Sequence, residues 1–468
     1  MRNKGAIFSF LAFLVLASCT LAAAQNPASQ KQMPPAGGPP KPFHLPKTET
    51  FTLSNGLKVT MVPYGSIPKV AINVAIRAGN LNESASQVWL ADVTGQLMKE
   101  GTTSKTSEQV AEAAASMGGS IDINVGPDVT DISGDVLSEF GPQMATLLAD
   151  VVQHPVLPAS ELPRLKQDAV RRLSIQKSQP GPLAREQFLK ALYPEHPYGR
   201  LFSDEATIDG FDVQEVRKFY EDNFGASRSH IYVAGKFDAA AVKAAITQAF
   251  SDWKRGPDPL IDIPKPVARH VLTVIDRPGA AQSTLYIGLP TIDPSNADYI
   301  PLQVMNSLLG GSFASRITSN IREQKGYTYS PNSQLAAHYR DAYWVEVADV
   351  TTAVTGPSIK EILYEIDRLQ KTPASDAELG GIENYLAGVF VLRNSSREGL
   401  ITQLQYVDLH QLGEKYLETY VQNVYAVTPQ LVTDLARKYI LADRLTMVVV
   451  GDKSKIADQI SPYGKSPN

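Results

Sequence analysis

Two segments of this chain, one late in each half, repeat the same order of elements. Residues 216–220 have the pattern of a helix, and the segment 229–235 that follows has the pattern of a strand that ends in Gly235. Residues 432–439 and the strand pattern over 444–451, which ends in Gly451, repeat that order. A helix followed by a strand that ends in glycine at the close of each half is what a duplicated domain requires. The chain is therefore constrained to two domains with a common plan.

The elements that precede these repeats support the same conclusion. The first half predicts a hairpin around Asn55-Gly56, a strand over 70–76, helices over 86–100 and from Thr106, strands over 120–125 and 129–136, and helices over 142–153 and 159–177. The second half predicts strands over 271–275 and 283–289, helices over 298–309 and around Arg316 and Arg322, strands over 327–333 and 344–349, and helices over 357–369 and 376–392. This order is neither strict βαβ alternation nor all-antiparallel, so it predicts an α+β fold.

The length of the chain agrees with two large domains. A chain of 468 residues exceeds what one hydrophobic core normally organises. We predict an N-terminal domain over 48–255, a linker over 256–268 in a proline-rich stretch, and a C-terminal domain over 269–468.

The net charge is -4 and there is no long run of Lys or Arg, which argues against binding to nucleic acid.

The N-terminus has the pattern of an export signal. Arg2 and Lys4 precede a short apolar run, so residues 1–24 predict a signal peptide. Two cleavage sites compete: a lipobox that ends at Cys19, which would then carry lipid, and an ordinary signal-peptidase site before Gln25. Residues 25–47 are rich in proline and predict an extended tether. We therefore expect an exported protein, either in the bacterial periplasm or anchored to a membrane as a lipoprotein.

A motif near residue 320 links the chain to a known family. The run Gly-Gly-Ser-Phe-Ala-Ser-Arg over 310–316, followed by Arg-Glu-x-x-Gly-x-x-Tyr over 322–329, resembles the second-domain signature of the insulinase-like zinc peptidases, which include pitrilysin and the mitochondrial processing peptidase. The resemblance extends over nearly all of the chain from Phe51 to Asp458. It implies that each half is a mixed sheet with helices on one face, and that the two halves face each other as a clam shell.

The zinc signature of that family is missing from the first half. Relatives carry His-x-x-Glu-His a few residues before a Gly-Thr pair. Counting back from Gly101-Thr102, the two histidine positions are Asp92 and Gln96, and the position of the catalytic glutamate is Gly95. The further glutamate ligand of the family corresponds, by spacing, to Arg172. The resemblance therefore implies a degenerate site and no metal on this chain.

The arginine and tyrosine of the second-domain signature are retained as Arg322 and Tyr329. In the family this pair reaches across the cleft to the peptide at the zinc of the first domain. The resemblance thus implies binding of a peptide carbonyl and stabilisation of its oxyanion by these two residues. Taken without the family, Arg322 would more simply form a surface salt bridge and Tyr329 would pack on a sheet.

These observations lead to one main functional hypothesis and two alternatives. The main hypothesis is the non-metal-binding subunit of a heterodimeric zinc peptidase, in which a homologous partner chain supplies zinc and the catalytic glutamate. Such a chain would not be a peptidase alone. The first alternative is an inactive peptide-binding or scaffold protein. The second is an active peptidase with unusual metal ligands, although the seven histidines never lie within five residues of one another.

Overall fold

In the computed structural model of the protein, the structure describes residues 43–413 and 415–464. The predicted signal peptide, Cys19 and residues 25–42 of the predicted tether lie outside the described residues. None of the described helices is long and apolar enough to cross a membrane.

The first half is built on a six-stranded mixed sheet. Its strands are β1 (Glu49–Thr52), β2 (Lys58–Pro63), β3 (Lys69–Ile76), β4 (Ile121–Val125), β5 (Thr130–Leu137) and β6 (Ser229–Gly235). They are ordered β1-β2-β6-β3-β5-β4. The pairing of β2 with β6 is parallel, and all the other pairings are antiparallel.

The second half contains a five-stranded sheet with the same plan. Its strands are β7 (Val271–Asp276), β8 (Gln282–Thr291), β9 (Asn332–His338), β10 (Asp341–Thr351) and β11 (Thr446–Gly451), ordered β7-β11-β8-β10-β9. The one parallel pairing, β7 with β11, occupies the place of β2 with β6. Removal of β1 from the first sheet makes the two orders identical. The duplication expected from the sequence is therefore present in the topology.

The two segments that revealed the duplication are inner strands of the two sheets. Every residue of β6 and every residue of β11 is buried. A strand that is covered on both faces needs apolar or small residues at consecutive positions rather than at alternate ones. This burial explains the apolar stretches 231–235 and 447–451, and the buried polar residues that precede them, Ser229, His230 and Thr446, make hydrogen bonds.

Most helices of each half lie on one face of its own sheet. Those of the first half are α1 (Leu90–Leu97), α2 (Ser107–Ser116), α3 (Gly141–Gln153), α4 (Leu162–Ser178), α5 (Pro180–Leu192), α6 (Glu205–Gly210), α7 (Val213–Asn223) and α8 (Ala239–Phe250). With β1–β6 they form what we call the N-lobe. Its main core joins buried strand residues such as Ile72 and Ile132 to helix residues such as Leu90 and Met144.

The second half, which we call the C-lobe, combines β7–β11 with another set of helices. They are α9 (Tyr299–Leu309), a π-helix (Thr318–Gln324), α10 (Thr355–Lys371), α11 (Asp376–Arg393), α12 (Arg397–His410), α13 (Lys415–Tyr425), α14 (Pro429–Tyr439) and α15 (Lys453–Ile460). Leu285, Trp344 and Ile359 are among the residues of its core. The α+β class and the two-lobed clam-shell architecture are thus confirmed.

One helix of each lobe packs on the sheet of the other lobe. Helix α5 of the N-lobe contacts β8 and β11, and Phe188 and Leu192 lie in one apolar cluster with Tyr343 and Val448 of the C-lobe. Helix α12 of the C-lobe contacts β3 and β6 of the N-lobe through Leu400 and Ile401. We call α5 and α12 the crossing helices. Because of them, each sheet has its own helices on one face and a helix of the other lobe on the opposite face.

Polar contacts also hold α12 on the N-lobe. Asp408 Oδ2 lies 2.6 Å from His230 Nδ1 and accepts a hydrogen bond from the hydroxyl of Tyr232 at 2.9 Å, while Asp408 Oδ1 pairs with Lys58 Nζ at 2.9 Å. Burial alone would favour the neutral acid, but hydrogen bonds and charges from His230 and Lys58 hold the pKa of Asp408 below its ordinary value. The crossing helix is therefore anchored by charge as well as by apolar packing.

Some local predictions differ from the structure. The helix expected over 86–100 is regular only over α1 and continues as a 3₁₀ turn over Met98–Glu100. The strand expected over 327–333 was wrong, because β9 begins at Asn332 and the earlier part makes only an isolated bridge between Thr328 and Val350. Gly326, with φ of 64°, and Pro331 interrupt that segment. The helices that were not predicted are α5, α6, α8, α12, α13 and α15.

Other local predictions agree with the structure. Thr106 caps α2 in a capping box with Gln109. The turn at Asn55-Gly56 lies between β1 and β2, in a loop over residues 53–57. Between Phe250 and Val271, where the linker is predicted, the structure has a turn but no helix or strand.

Candidate functional site

The three positions that correspond to the family's zinc signature lie on α1. Asp92 is in its first turn, and Gln96 follows one turn later on the same side of the helix. Gly95 faces the sheet instead, where a Cβ atom would lie 2.7 Å from Cγ2 of Val125 on β4. The position of the catalytic glutamate is therefore occupied by a packing contact.

Arg172 of α4 faces the same place from the opposite side. Its NH2 atom lies 3.5 Å from Asp92 Oδ1, and its guanidinium stacks on the ring of Trp89 at 4.6 Å from the ring centroid. Spacing alone indicated Arg172, and the structure brings it next to Asp92. A permanent positive charge at this distance would oppose a metal dication by several kcal/mol at an effective dielectric constant of ~20.

A buried carboxyl group supports Asp92 from behind. Asn80 Nδ2 donates to Asp92 Oδ2 at 2.9 Å and to Glu83 Oε1 at 3.1 Å. Glu83 also accepts hydrogen bonds from the main-chain nitrogens of Trp89 and Ala91, at 3.1 and 2.8 Å. Burial, with a smaller contribution from the charge of Asp92, raises the pKa of Glu83 to about 8. Burial also raises the pKa of Asp92, although Asn80 and Arg172 oppose this change.

The backbone is strained immediately before α1. Trp89 has φ of 78° and ψ of 6°, a left-handed conformation that costs a bulky residue on the order of 1–3 kcal/mol. The hydrogen bond of its main-chain nitrogen to Glu83, the hydrogen bond of its indole to Leu201 O at 3.0 Å and its stacking under Arg172 hold it there. Strain that is maintained by this many contacts is typical of functional sites.

The residues at this place do not fit a zinc ion. A zinc hydrolase needs about three nitrogen, sulfur or oxygen ligands together with a carboxylate base. Asp92 is committed to Asn80 and Arg172, Gln96 is a poor ligand, and Gly95 has no side chain. Over residues 43–413 and 415–464, no group of three or more His, Cys, Asp or Glu side chains is placed to hold a metal.

Arg322 and Tyr329 form a second cluster in the C-lobe. The guanidinium of Arg322 lies 5.0 Å from the ring centroid of Tyr329 and 4.4 Å from that of Phe313, so it is held between two aromatic rings. Both rings are open to solvent, with 81% of Tyr329 and 71% of Phe313 exposed. Arg322 Nη1 lies 3.2 Å from Oε1 of its neighbour Glu323, an ion pair whose geometry is not that of a hydrogen bond.

The structure joins the predicted site residues in two groups. Asp92 and Arg172 contact each other and line one cavity, and Arg322 and Tyr329 contact each other. The cavity is bounded by both lobes, since His338 at the end of β9 lines it together with Tyr198 of the N-lobe. The rings of these two residues stack at 4.2 Å. The contacts found for Arg322 and Tyr329 are within the C-lobe, and neither residue lines the cavity.

Two other histidines have structural roles. His196 caps the turn Pro197–Gly199. His230 lies between Thr60 Oγ1, at 2.8 Å, and Asp408. This order resembles a nucleophile, a base and an orienting acid, but Thr60 is buried in β2 and also bonds Thr50, so no substrate reaches it.

Sequence reasoning missed several residues of both clusters. Phe313 lies in the same signature as Arg322, and its place after two glycines was the only local indication. Glu83, Trp89 and Asn80 carry no motif, because their roles depend on how the chain enters α1.

Comparison with known proteins places these features in a family. The sequence model of "Insulinase (Peptidase family M16)" matches residues 60–204, and that of "Peptidase M16 inactive domain" matches residues 210–386. A Bacillus subtilis protein described as "uncharacterized zinc protease YmxG" is 23% identical over 420 residues, which cover 89% of this chain and 99% of that protein. An "uncharacterized zinc protease" of Rickettsia felis is 24% identical over 68% of this chain and 76% of its own length.

Solved structures share this fold. A peptidase M16 inactive domain protein from Pseudomonas fluorescens matches with a TM-score of 0.80 and 23% identity, covering 86% of this chain and 98% of that chain. A protease from Helicobacter pylori also matches with a TM-score of 0.80, at 18% identity, covering 87% of this chain and 100% of that chain. At these identities the likeness establishes the architecture alone.

Proposed function

Because the chain belongs to the insulinase family of peptidases, M16, we propose that it is the non-metal-binding subunit of a heterodimeric zinc metallopeptidase. Arg322 and Tyr329 of this chain bind the peptide carbonyl and stabilise its oxyanion, and a homologous partner supplies zinc and the catalytic glutamate. Export to the bacterial periplasm, with or without lipid on Cys19, is part of the same proposal and rests on residues 1–24.

The observation that carries the proposal is the position of Arg322 between two exposed aromatic rings. Its guanidinium stacks on Phe313 and Tyr329, and its ion pair with the adjacent Glu323 lacks hydrogen-bond geometry. A shielded donor that makes no hydrogen bond costs free energy unless a ligand uses it. The zinc positions, by contrast, are replaced by an ion pair and a packing contact. The chain thus retains groups that hold a peptide while the groups that cleave it are absent.

The chemistry of the pair suits a carbonyl oxygen. A guanidinium presents several donors in a rigid fork, and the hydroxyl of Tyr329 adds another donor nearby. Donors placed where negative charge develops contribute strongly to acyl transfer, and loss of one typically reduces kcat by about 10² to 10³. Stacking on Phe313 restricts the guanidinium to one orientation, which lowers the entropy cost of using it.

The test is reconstitution with the partner. The gene next to that of this chain is the first source to search for a homologue with His-x-x-Glu-His. Cleavage of a quenched fluorescent peptide is measured for each chain alone and for the mixture. We expect activity to require both chains, and Arg322→Ala to reduce kcat of the mixture by about 10² or more while the complex still forms.

A neighbouring substitution controls for surface charge. Lys325→Ala removes a cation close to Arg322, where Lys325 pairs with Glu361 at 3.3 Å, and should leave kcat unchanged within about twofold. Full peptidase activity of the partner alone, unaffected by this chain or by its Arg322→Ala form, would refute the proposal. Stoichiometric zinc in the isolated chain would instead favour an active peptidase with unusual ligands.

The alternative function is an inactive peptide-binding or scaffold protein. This function is favoured by the closed state of the degenerate site, in which Val125 packs on Gly95 and Arg172 pairs with Asp92. That arrangement leaves no residue there for catalysis. In that case no mixture of chains hydrolyses a peptide, and Tyr329→Phe leaves peptide affinity unchanged.

A further inference from the structure

The cavity beside the degenerate zinc positions is lined by more cationic than anionic side chains. It has a volume of about 220 Å³ and is bounded by α1, α4, α5 and the turn over Pro197–Gly199. Arg172, Arg185 and Arg200 line it, and Asp92 is its one lining carboxylate. We propose that this cavity binds a carboxylate group of a peptide, in the place where relatives hold a cation.

The arginines reach the cavity from separate elements. Arg172 comes from α4, Arg185 from the crossing helix α5, and Arg200 from the segment after the Pro197–Gly199 turn. Packing of the core does not require a cation at these places, and side chains of like charge repel one another when they converge. A cavity that gathers three guanidiniums against one acid is therefore suited to an anion.

The guanidiniums keep most of their donors free. Arg172 makes one loose contact with Asp92, at 3.5 Å, and Arg200 NH1 donates to the main-chain oxygen of Glu83 at 3.3 Å. Neither Arg185 nor Arg200 has a carboxylate within 4.0 Å among the residues the structure describes. Each guanidinium has five N–H donors, so several remain for a ligand.

A carboxylate uses these donors better than other anions of similar charge. Its two oxygens match the fork of a guanidinium in a bidentate pair, which is stronger and more directional than a single ion contact. Gln176 lines the same cavity and supplies an amide donor for a further hydrogen bond. Asn80 and Tyr198 also line it, but Asn80 already donates to Asp92 and Glu83, and Tyr198 to Asp128. The volume suits one side chain or one chain terminus rather than a whole peptide.

Two sources can present that carboxylate: the free C-terminus of a peptide, or an Asp or Glu side chain. Dansylated probes separate them. The first pair is dansyl-tetra-alanine with a free C-terminus and the same peptide as its amide. The second pair is dansyl-Ala-Glu-Ala-Ala-amide and its glutamine counterpart. Fluorescence anisotropy is recorded with the purified full chain in the absence of any partner.

We expect one acidic probe to bind at least about tenfold more tightly than its neutral counterpart, as a charge-assisted hydrogen bond requires. Arg172→Gln should abolish this preference, and Arg185→Gln should reduce it. Arg171→Gln is the matched control, because Arg171 directly precedes Arg172 on α4, pairs with Asp168 and has a side chain that is 73% exposed. It removes the same charge and should leave the preference unchanged.

The Arg185→Gln variant keeps the test valid if Arg172→Gln is unstable, because Arg185 is exposed at the rim and makes no ion pair in the described chain. Preference for the free terminus or for the glutamate side chain supports the proposal and identifies the source. Equal binding of acidic and neutral probes, or an effect of Arg171→Gln as large as that of Arg172→Gln, overturns it. The inference goes beyond the proposed function, since it concerns binding by the isolated chain and does not involve Arg322.

Discussion

Position 95 offers a quantitative test of how the degenerate site is closed. An alanine there would place Cβ 2.7 Å from Cγ2 of Val125 and 3.6 Å from Cγ2 of Ile123. Favourable carbon contacts lie at about 3.5–4.0 Å, so the first distance is a clash and the second is not. Val125 is β-branched and in a strand, where rotation about χ1 is restricted, so it cannot simply turn away.

The size of the effect follows from two opposing contributions. Overpacking by one methyl group costs about 1–3 kcal/mol. Alanine is about 0.5–1 kcal/mol better than glycine inside a helix. Gly95→Ala should therefore lower the free energy of unfolding by up to about 2.5 kcal/mol. In a Val125→Ala background the clash is absent, and the same substitution should raise that free energy by about 0.5–1 kcal/mol.

The assay is a double-mutant cycle. Urea denaturation of the wild type, the two single variants and the double variant is followed by circular dichroism, and the coupling free energy is calculated from the four values. We expect a coupling of about 1–3 kcal/mol. A coupling below about 0.5 kcal/mol would show that Val125 does not close this position. Replacement of Gly95 by glutamate would then meet no steric barrier.

Two further predictions concern stability. The pKa of Glu83 is about 8 in the folded state and has its ordinary value of 4.5 in the unfolded state, so the folded state binds more protons than the unfolded state between these pH values. The free energy of unfolding should therefore fall as pH rises from about 5 to 8, by an amount on the order of 4 kcal/mol. Denaturation at several pH values should show this fall flattened in Glu83→Gln and unchanged in the exposed control Glu112→Gln. Phe188→Ala should lower the free energy of unfolding by about 3–5 kcal/mol and lower the melting temperature of both lobes in one transition, because Phe188 is buried between them. Ile175→Ala is the control and should lower the free energy of unfolding by less than about 1 kcal/mol, because Ile175 is 52% exposed. Separate melting of the two lobes in the Phe188 variant would contradict this prediction.

The repeated inner strands could be predicted because their signal is local. A strand that is buried on both faces has apolar or small residues at consecutive positions, as residues 231–235 of β6 and 447–451 of β11 do. The cap of α2 was equally local, since Thr106 and Gln109 satisfy each other within one turn. These elements carry in their own residues the reason for their conformation.

The crossing helix α12 could not be predicted because its partner surface is distant in sequence. Leu400 and Ile401 are its buried apolar residues, and polar groups such as Asp408 make the other contacts with the N-lobe. No strong apolar stripe results, so periodicity gives little indication. The strand expected over 327–333 failed for the opposite reason. Tyr327 and Tyr329 favour a strand by propensity, but the left-handed Gly326 turns the chain before pairing begins.

The site was predictable only where a motif carries it. Asp92, Gln96 and Arg322 follow from spacing within signatures. The cavity of arginines does not, because Arg172, Arg185 and Arg200 converge only after α4 and α5 have packed. Convergence of this kind is a property of tertiary structure and leaves no periodic trace in the chain.

The exchange of helices between the lobes makes the covalent connection over 254–270 dispensable for cohesion. Either half produced by itself would expose the apolar sheet surface that Phe188 or Leu400 now covers, and should therefore be prone to aggregate. A chain cleaved within that segment should still elute as a single particle on gel filtration, because α5 and α12 continue to hold the two lobes together.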